Sequence, residues 1–243
     1  MTLVRERRTF EASGGMEMSE KTQISAGGKT IEIFTGAPGS PVIYLNTFEG
    51  EGEAVFEAMK KSGAPDCTLA AVSGVYWNVE MSPWPMPPLF KDEPEYTGGA
   101  DDYLSVLTDT IVPAVEQKIP AKPRFRAVAG YSLSGLFAVY TLYKTDVFSR
   151  AVSASGSLWY PDFLEYARSH EFAGKPEYVY FSLGDKESRT RHPLMRTVEE
   201  RTIETEKLFA SRGVDTTYVS NPGNHFRDSD LRTAMGIKWI LEQ

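Results

Sequence analysis

Three kinds of side chain in this sequence could together make a nucleophile: a serine hydroxyl, an imidazole and a carboxylate. A serine attacks a carbonyl only when a neighbouring base removes its proton. The serine best placed for this is Ser132, in the run Val128-Ala129-Gly130-Tyr131-Ser132-Leu133-Ser134-Gly135-Leu136-Phe137-Ala138. A small apolar run, Ala127 to Ala129, precedes it and suits a buried strand. An apolar run of helical length, Leu136 to Tyr143, follows it. A strand, a sharp turn carrying a serine and a helix make a nucleophile elbow. The strained turn requires small residues two places before and two places after the serine, and Gly130 and Ser134 meet that need. Centring the motif on Ser134 would put bulky Leu136 at a position that must be small. The usual pattern has glycine at the second flank; here it is Ser134, with Gly135 displaced by one. The competing reading is a strand-to-helix turn that simply needs small residues.

The base must come from three histidines. His170 lies among Glu165, Arg168 and Glu171 and reads as a solvated surface residue. His192 sits in a charged loop before Pro193. His225 follows the last strand in the turn Asn221-Pro222-Gly223-Asn224. Hydrolases built on such an elbow present their triad in the chain order serine, acid, histidine. His225 fits the last place, and it lies at the carboxyl end of a strand, where open α/β sheets bind ligands. The alternative is a turn histidine satisfied by local backbone.

The acid should follow the preceding strand, and both Asp185 and Glu187 do so. Glu187 is preferred by its distance from Gly184; Asp185 is the alternative, with a turn-capping role open to it. The acid would fix the imidazole tautomer and stabilise the imidazolium. A tetrahedral oxyanion needs donors. One should be the backbone N–H of Leu133, after the nucleophile. The other should come from the loop after the strand Pro41 to Leu45, with Phe48 N–H first and Thr47 second. Asp185, Glu187 and His192 lack the spacing of a metal site, so no metal is expected.

These residues need a scaffold, and the hydropathy pattern supplies one. Short strands are predicted at Lys21 to Ser25 and Thr30 to Phe34, joined at Gly27-Gly28, and buried strands at Pro41 to Leu45 and Cys67 to Val72. Helical spacing covers Glu53 to Lys61 and Asp101 to Val115, the latter with Pro113 positioned to kink its last turn. Further strands are predicted at Phe148 to Ala154, Glu177 to Leu183 and Thr216 to Ser220. Helices are predicted at Thr197 to Arg212, ended by Gly213, and at Asp228 to Leu241. In that last helix Asp228 is expected at the N-cap, and Leu231, Met235, Trp239 and Leu241 are expected to be buried. Strands alternating with helices imply an α/β fold with a mostly parallel central sheet and helices on both faces. The segment Val75 to Phe90 carries prolines that exclude regular helix and central strand, yet it is rich in aromatics and methionine. Such a loop either packs over the core or lines a cleft.

Composition sets the outer limits. The chain has 243 residues, 41% of them hydrophobic and 24% charged, which is ordinary for a globular α/β domain. Its net charge of −7 argues against nucleic acid or an anionic membrane as partner. The single cysteine, Cys67, excludes a disulfide framework within the chain and reads as a core residue. No apolar run reaches the length of a transmembrane span, and the start of the chain lacks the apolar centre of a secretory signal. The expected location is therefore cytoplasmic. Residues 1–21 are expected to form a mobile tail and 22–243 a single domain.

The segments Gly130-Tyr131-Ser132-Leu133-Ser134-Gly135, Gly184-Asp185-Lys186-Glu187 and Gly223-Asn224-His225-Phe226 resemble the putative-esterase branch of the α/β-hydrolases. That branch includes esterase D-like, feruloyl and enterobactin-type siderophore esterases. The resemblance spans roughly residues 28–243. It implies an α/β-hydrolase fold and a serine esterase without a cofactor, while the short inserts of the sequence leave little material for a large lid domain. Its catalytic roles fall on Ser132, Glu187 and His225, and its substrate would be a small-molecule ester. The sequence departs from the pattern at Asn46-Thr47-Phe48, where many relatives carry a His-Gly pair. Trp77, Trp84, Tyr131 and Trp159 are candidate substrate contacts, with packing as the alternative role for the tryptophans. Acyl transfer on the same triad, or a catalytically silent fold used for binding, are the competing functions.

Overall fold

The computed structural model describes residues 21–243. The expected tail therefore lies outside the described residues, apart from Lys21, which opens the first strand. The strands are β1 (Lys21–Ala26), β2 (Lys29–Phe34), β3 (Val42–Asn46), β4 (Thr68–Ser73), β5 (Pro85–Met86), β6 (Tyr96–Thr97), β7 (Arg126–Tyr131), β8 (Arg150–Ala154), β9 (Tyr178–Gly184) and β10 (Asp215–Asn221). The helices are α1 (Gly52–Lys61), α2 (Trp77–Glu80), α3 (Ala100–Val106), α4 (Val112–Glu116), α5 (Leu133–Thr141), α6 (Phe163–Ser169), α7 (Val198–Ser211) and α8 (Ser229–Leu241).

Eight strands form one sheet in the order β1-β2-β4-β3-β7-β8-β9-β10. β2 pairs antiparallel with both β1 and β4, and every later pairing is parallel. The central strands are buried along their whole length: every residue of β3 and of β8 is buried, the polar Asn46, Arg150 and Ser153 included. Such strands fit only where both faces of a sheet are covered. Val55 and Met59 of α1 and Ile237 and Ile240 of α8 pack one face. Residues of α3, α4, α5, α6 and α7 pack the other. This is the α/β-hydrolase arrangement.

Three local departures from the sequence pattern have physical causes. The helix expected over Asp101 to Val115 is present but carries a wider, π-type turn at Leu107–Ile111, just before Pro113. Proline lacks an N–H and clashes with the carbonyl four residues earlier, and the wide turn accommodates both defects. The segment after β4 holds one helical turn, α2, before its prolines, and then the small β5–β6 pairing. In α8 the buried face comprises Arg232, Thr233, Ala234, Gly236, Ile237, Ile240 and Leu241. Leu231 and Met235, expected inside, are exposed, and Trp239 is half-buried. The helix turns its small residues inward because Gly236 lies against Val152 and Tyr180, where even a Cβ would come within 2.5 Å of Val152. Asp228 does occupy the N-cap position, but its side chain makes no capping bond and instead lies beside Arg227.

Among the described residues, no helix is long and apolar enough to cross a membrane.

Candidate active site

The elbow forms at the carboxyl end of β7. Ser132 has φ 59° and ψ −123°, a conformation that L-residues adopt only under constraint. Gly130 is required here, because a Cβ on it would lie 2.3 Å from the backbone of Ser134. The serine in place of the second flanking glycine has a role: Ser134 is fully buried, and its Oγ accepts from Tyr131 N–H at 2.9 Å while lying 3.1 Å from the Asn46 carbonyl. Its hydroxyl thus ties the elbow to the end of β3.

The other two groups arrive from neighbouring strand ends. β9 and β10 are in parallel register, with Asn221 opposite Gly184, so the loops that follow them emerge side by side. His225 Nε2 lies 3.0 Å from Ser132 Oγ, and His225 Nδ1 lies 2.7 Å from Glu187 Oε2. With the proton on Nδ1, the imidazole donates to Glu187 and offers Nε2 to the serine hydroxyl. Asp185 is turned elsewhere: its carboxylate accepts from Gly223 N–H at 2.8 Å and so braces the turn that carries His225. His170 is exposed, and among the described residues no cluster of His, Cys, Asp or Glu is arranged to hold a metal ion.

The side chain of Glu187 is 4% exposed. Its Oε1 accepts from Gly184 N–H at 2.6 Å, from Ser155 Oγ at 2.7 Å and from Arg232 Nη1 at 3.0 Å. Burial opposes its ionisation, but the bonds and charge of His225, with the Gly184 and Ser155 donors, outweigh that and hold the carboxyl below its usual range. Two further residues at this rim were not legible as site residues. Ser155, at the end of β8, has φ 46°, which aims its hydroxyl at Glu187. Arg232, from the first turns of α8, is 2% exposed.

The candidate oxyanion donors differ from expectation in two respects. Leu133 opens α5, so its N–H has no intrahelical acceptor and sits beside Ser132. Thr47 N–H is spent on the Val72 carbonyl at 2.9 Å, because it continues the β3–β4 pairing, and this removes it as an alternative donor. Phe48 N–H lies in the same loop and donates to Glu51 Oε2 at 2.9 Å. Glu49 N–H donates to the other oxygen of Glu51 at 3.0 Å.

A cleft of about 300 Å³ opens over Ser132 and His225. Phe48, Trp77, Tyr131 and Phe226 line it, together with the carboxylates of Glu51 and Asp230. Burial, and then the nearby charge of Glu51, hold the Asp230 carboxyl above its usual range. Phe48 meets Trp77 edge-on at 5.0 Å. Phe48 and Phe226 stand 57% and 88% exposed at the mouth. The Tyr131 hydroxyl donates to the His225 carbonyl at 2.6 Å, so Tyr131 both walls the cleft and anchors the histidine loop. Trp84 does not reach this cleft. Its indole donates to the Pro161 carbonyl at 3.0 Å and packs among Tyr140, Tyr160 and Tyr166. Trp159 packs against Tyr160 and is likewise absent from the cleft walls. Trp84 serves packing because the loop that carries it folds away from the rim onto α5 and α6, and Trp159, on the separate segment after β8, packs against the core.

The chain matches the model of the family described as Putative esterase over residues 49–229. It is 24% identical over 186 residues to the Uncharacterized protein YbbA of Bacillus subtilis (strain 168), covering 74% of each chain. Among solved structures it is similar to an IroE-like serine hydrolase from Shewanella oneidensis, with a TM-score of 0.72 at 16% identity, covering 99% of this chain and 80% of that one. It is also similar to siderophore hydrolase EstB from Aspergillus nidulans, with a TM-score of 0.66 at 19% identity, covering 96% of this chain and 98% of that one.

Proposed function

The chain belongs to the Putative esterase family, and from that premise we propose that it hydrolyses a carboxylic ester through an acyl-enzyme on Ser132, with His225 as base and Glu187 as orienting acid. The observation that carries this reading is the unbroken relay: Ser132 Oγ to His225 Nε2 at 3.0 Å, and His225 Nδ1 to Glu187 at 2.7 Å. As Ser132 Oγ bonds to the ester carbonyl carbon, its proton passes to Nε2 and the carbonyl oxygen becomes an oxyanion. Leu133 N–H donates to that oxyanion. The imidazolium is held by the ionised Glu187 until it returns the proton to the departing alkoxide. Water then enters; His225 takes its proton as the water oxygen bonds to the acyl carbon, and collapse of this second tetrahedral intermediate breaks the bond to Ser132 Oγ, which takes the proton back from His225 as the acid departs. General-base help of this kind is worth about 10²–10⁴-fold.

The cleft favours small esters with a planar, apolar part. Phe48, Trp77 and Phe226 offer aromatic edges at its mouth, and the similar EstB is a siderophore hydrolase. A siderophore-type ester, or another ester of an aromatic acid, fits that rim.

The test pairs fluorophosphonate labelling with a panel of aryl-acyl and short-chain p-nitrophenyl esters on wild type and Ser132→Ala. Labelling and turnover in the wild type, both lost in the variant, are expected. Turnover that survives in Ser132→Ala would remove the serine from its assigned role.

A further inference from the structure

Arg232 is a charged residue buried beneath the triad, and its placement is costly. A buried charge is tolerated only when it is paired and hydrogen-bonded. Its Nη1 lies 3.0 Å from Glu187 Oε1, 3.1 Å from Ser155 Oγ and 3.3 Å from the Tyr131 hydroxyl. Its Nη2 donates to the Pro222 carbonyl at 3.1 Å. Among the described residues its Nε finds no acceptor. One guanidinium therefore joins residues at or just beyond the carboxyl ends of β7, β8, β9 and β10. The backbone makes room for it: a Cβ on Gly184 would sit 2.9 Å from both Nη atoms.

We propose that Arg232 is a positioning residue for the reaction: it acts through Glu187, fixing the carboxylate against His225 Nδ1 and balancing its buried charge. The inference rests on the triad reading above. With Arg232 in place, one buried cation and one buried carboxylate balance each other. Without it, the Glu187 charge is balanced only if the imidazole or Glu187 itself holds a proton, and either outcome removes the base from service near neutral pH. The free energy of that unbalanced anion is what moves the titration.

Other titratable groups face this cluster. Tyr131 from β7, Tyr180 from β9 and Tyr218 from β10 are phenols that burial pushes further above their ordinary range, so they stay neutral through the range of interest. Asp185 is held on Gly223 N–H. Glu51 and Asp230 line the cleft. All of these are common to the wild type and the variants below.

The experiment measures kcat/KM against pH, with thermal melts, for wild type, Arg232→Gln and Arg232→Lys on one p-nitrophenyl ester. Gln keeps hydrogen-bond donors and loses the charge; Lys keeps the charge and loses the planar fork. In Arg232→Gln the acid limb should move up by about one pH unit, a loss of about tenfold on the acid side that is recovered at alkaline pH. In Arg232→Lys the limb should stay at its wild-type position while kcat falls at every pH. A folded Arg232→Gln whose activity drops equally at all pH values overturns the proposal. If Arg232→Gln does not fold, the Lys variant decides: a limb displaced despite the retained charge overturns it equally. Ser132→Ala run alongside separates the two levels, since residual turnover there defeats the triad reading, whereas a dead Ser132→Ala with an unmoved limb defeats only the role of Arg232.

Discussion

Glu51 accepts from the consecutive N–H groups of Phe48 and Glu49, at 2.9 and 3.0 Å, within the cleft that holds Ser132. In the proposed reaction a carboxylate there would do two things to the developing oxyanion: occupy a donor that the oxyanion could use, and add a like charge nearby. One oxyanion donor is worth about 2.7–4 kcal/mol when it is fully engaged. Glu51→Ala frees Phe48 N–H and removes the charge, so kcat for a neutral short-chain ester should rise about three- to tenfold, or ~0.7–1.4 kcal/mol of barrier. The gain is smaller than a full donor because the loop also loses two hydrogen bonds, each worth about 1 kcal/mol. Steady-state kinetics on the purified variant check this. A fall in kcat at constant KM would show instead that the carboxylate holds the loop in its working shape. Neither Glu51 nor Arg232 was visible as a site residue in the sequence, because what each does depends on which backbone groups surround it. Ser132 was visible because the elbow's demand for small neighbours is written locally, at Gly130 and Ser134.

Helix α8 carries the Arg232 contact and part of the cleft wall, and its orientation shows where pattern reading stops. Its apolar residues Leu231, Met235, Trp239 and Leu241 suggest a buried stripe, yet Leu231 and Met235 face solvent. Two residues turn the helix the other way. Arg232 must reach Glu187, and Gly236 must let the helix approach β8 and β9. Ion pairing and close packing override the apolar count, and neither can be read from periodicity. Ile237→Ala should therefore destabilise the fold by about 2–5 kcal/mol, whereas Leu231→Ala should stay within about 0.5 kcal/mol of wild type. Urea titrations of both variants check the assignment, and comparable losses at the two positions would contradict it. The strands were far more legible. A buried parallel strand is a short, mostly apolar run, and β3, β4, β7 and β9 read that way, with β8 interrupted by Arg150 and Ser153. Helix α6 was missed because it spans only Phe163–Ser169, too short for its periodicity to stand out. Trp84 and Trp159 were placed near the cleft by chain position alone, and position along a loop does not fix which way the loop folds.

At the scale of the whole molecule, the sheet brings groups far apart in sequence to one rim, and those groups link folding to pH. The folded pKa of Glu187 lies below its unfolded value, so the native state keeps this carboxylate ionised where the unfolded chain would protonate it. Its stabilisation is fully present above the ordinary glutamate range, near ~4.3, and is lost as pH falls through the lowered folded value. Asp230 has the opposite sign. Its folded pKa is raised by burial and by Glu51, so its charge costs stability at neutral pH, and that cost is relieved as pH falls through the raised value. Two variants separate the effects. Glu187→Gln leaves the Arg232 cation without its buried partner, which typically costs about 3–5 kcal/mol at neutral pH; the gap to wild type should narrow as the pH is lowered into the range where wild-type Glu187 itself takes a proton. Asp230→Asn should melt higher than wild type at neutral pH, and that advantage should fade in mild acid. Melting curves of the three proteins across the acid range provide the measurement. A Glu187→Gln deficit that stayed constant to the lowest pH at which the fold survives would mean that the glutamate contributes through packing and not through its charge.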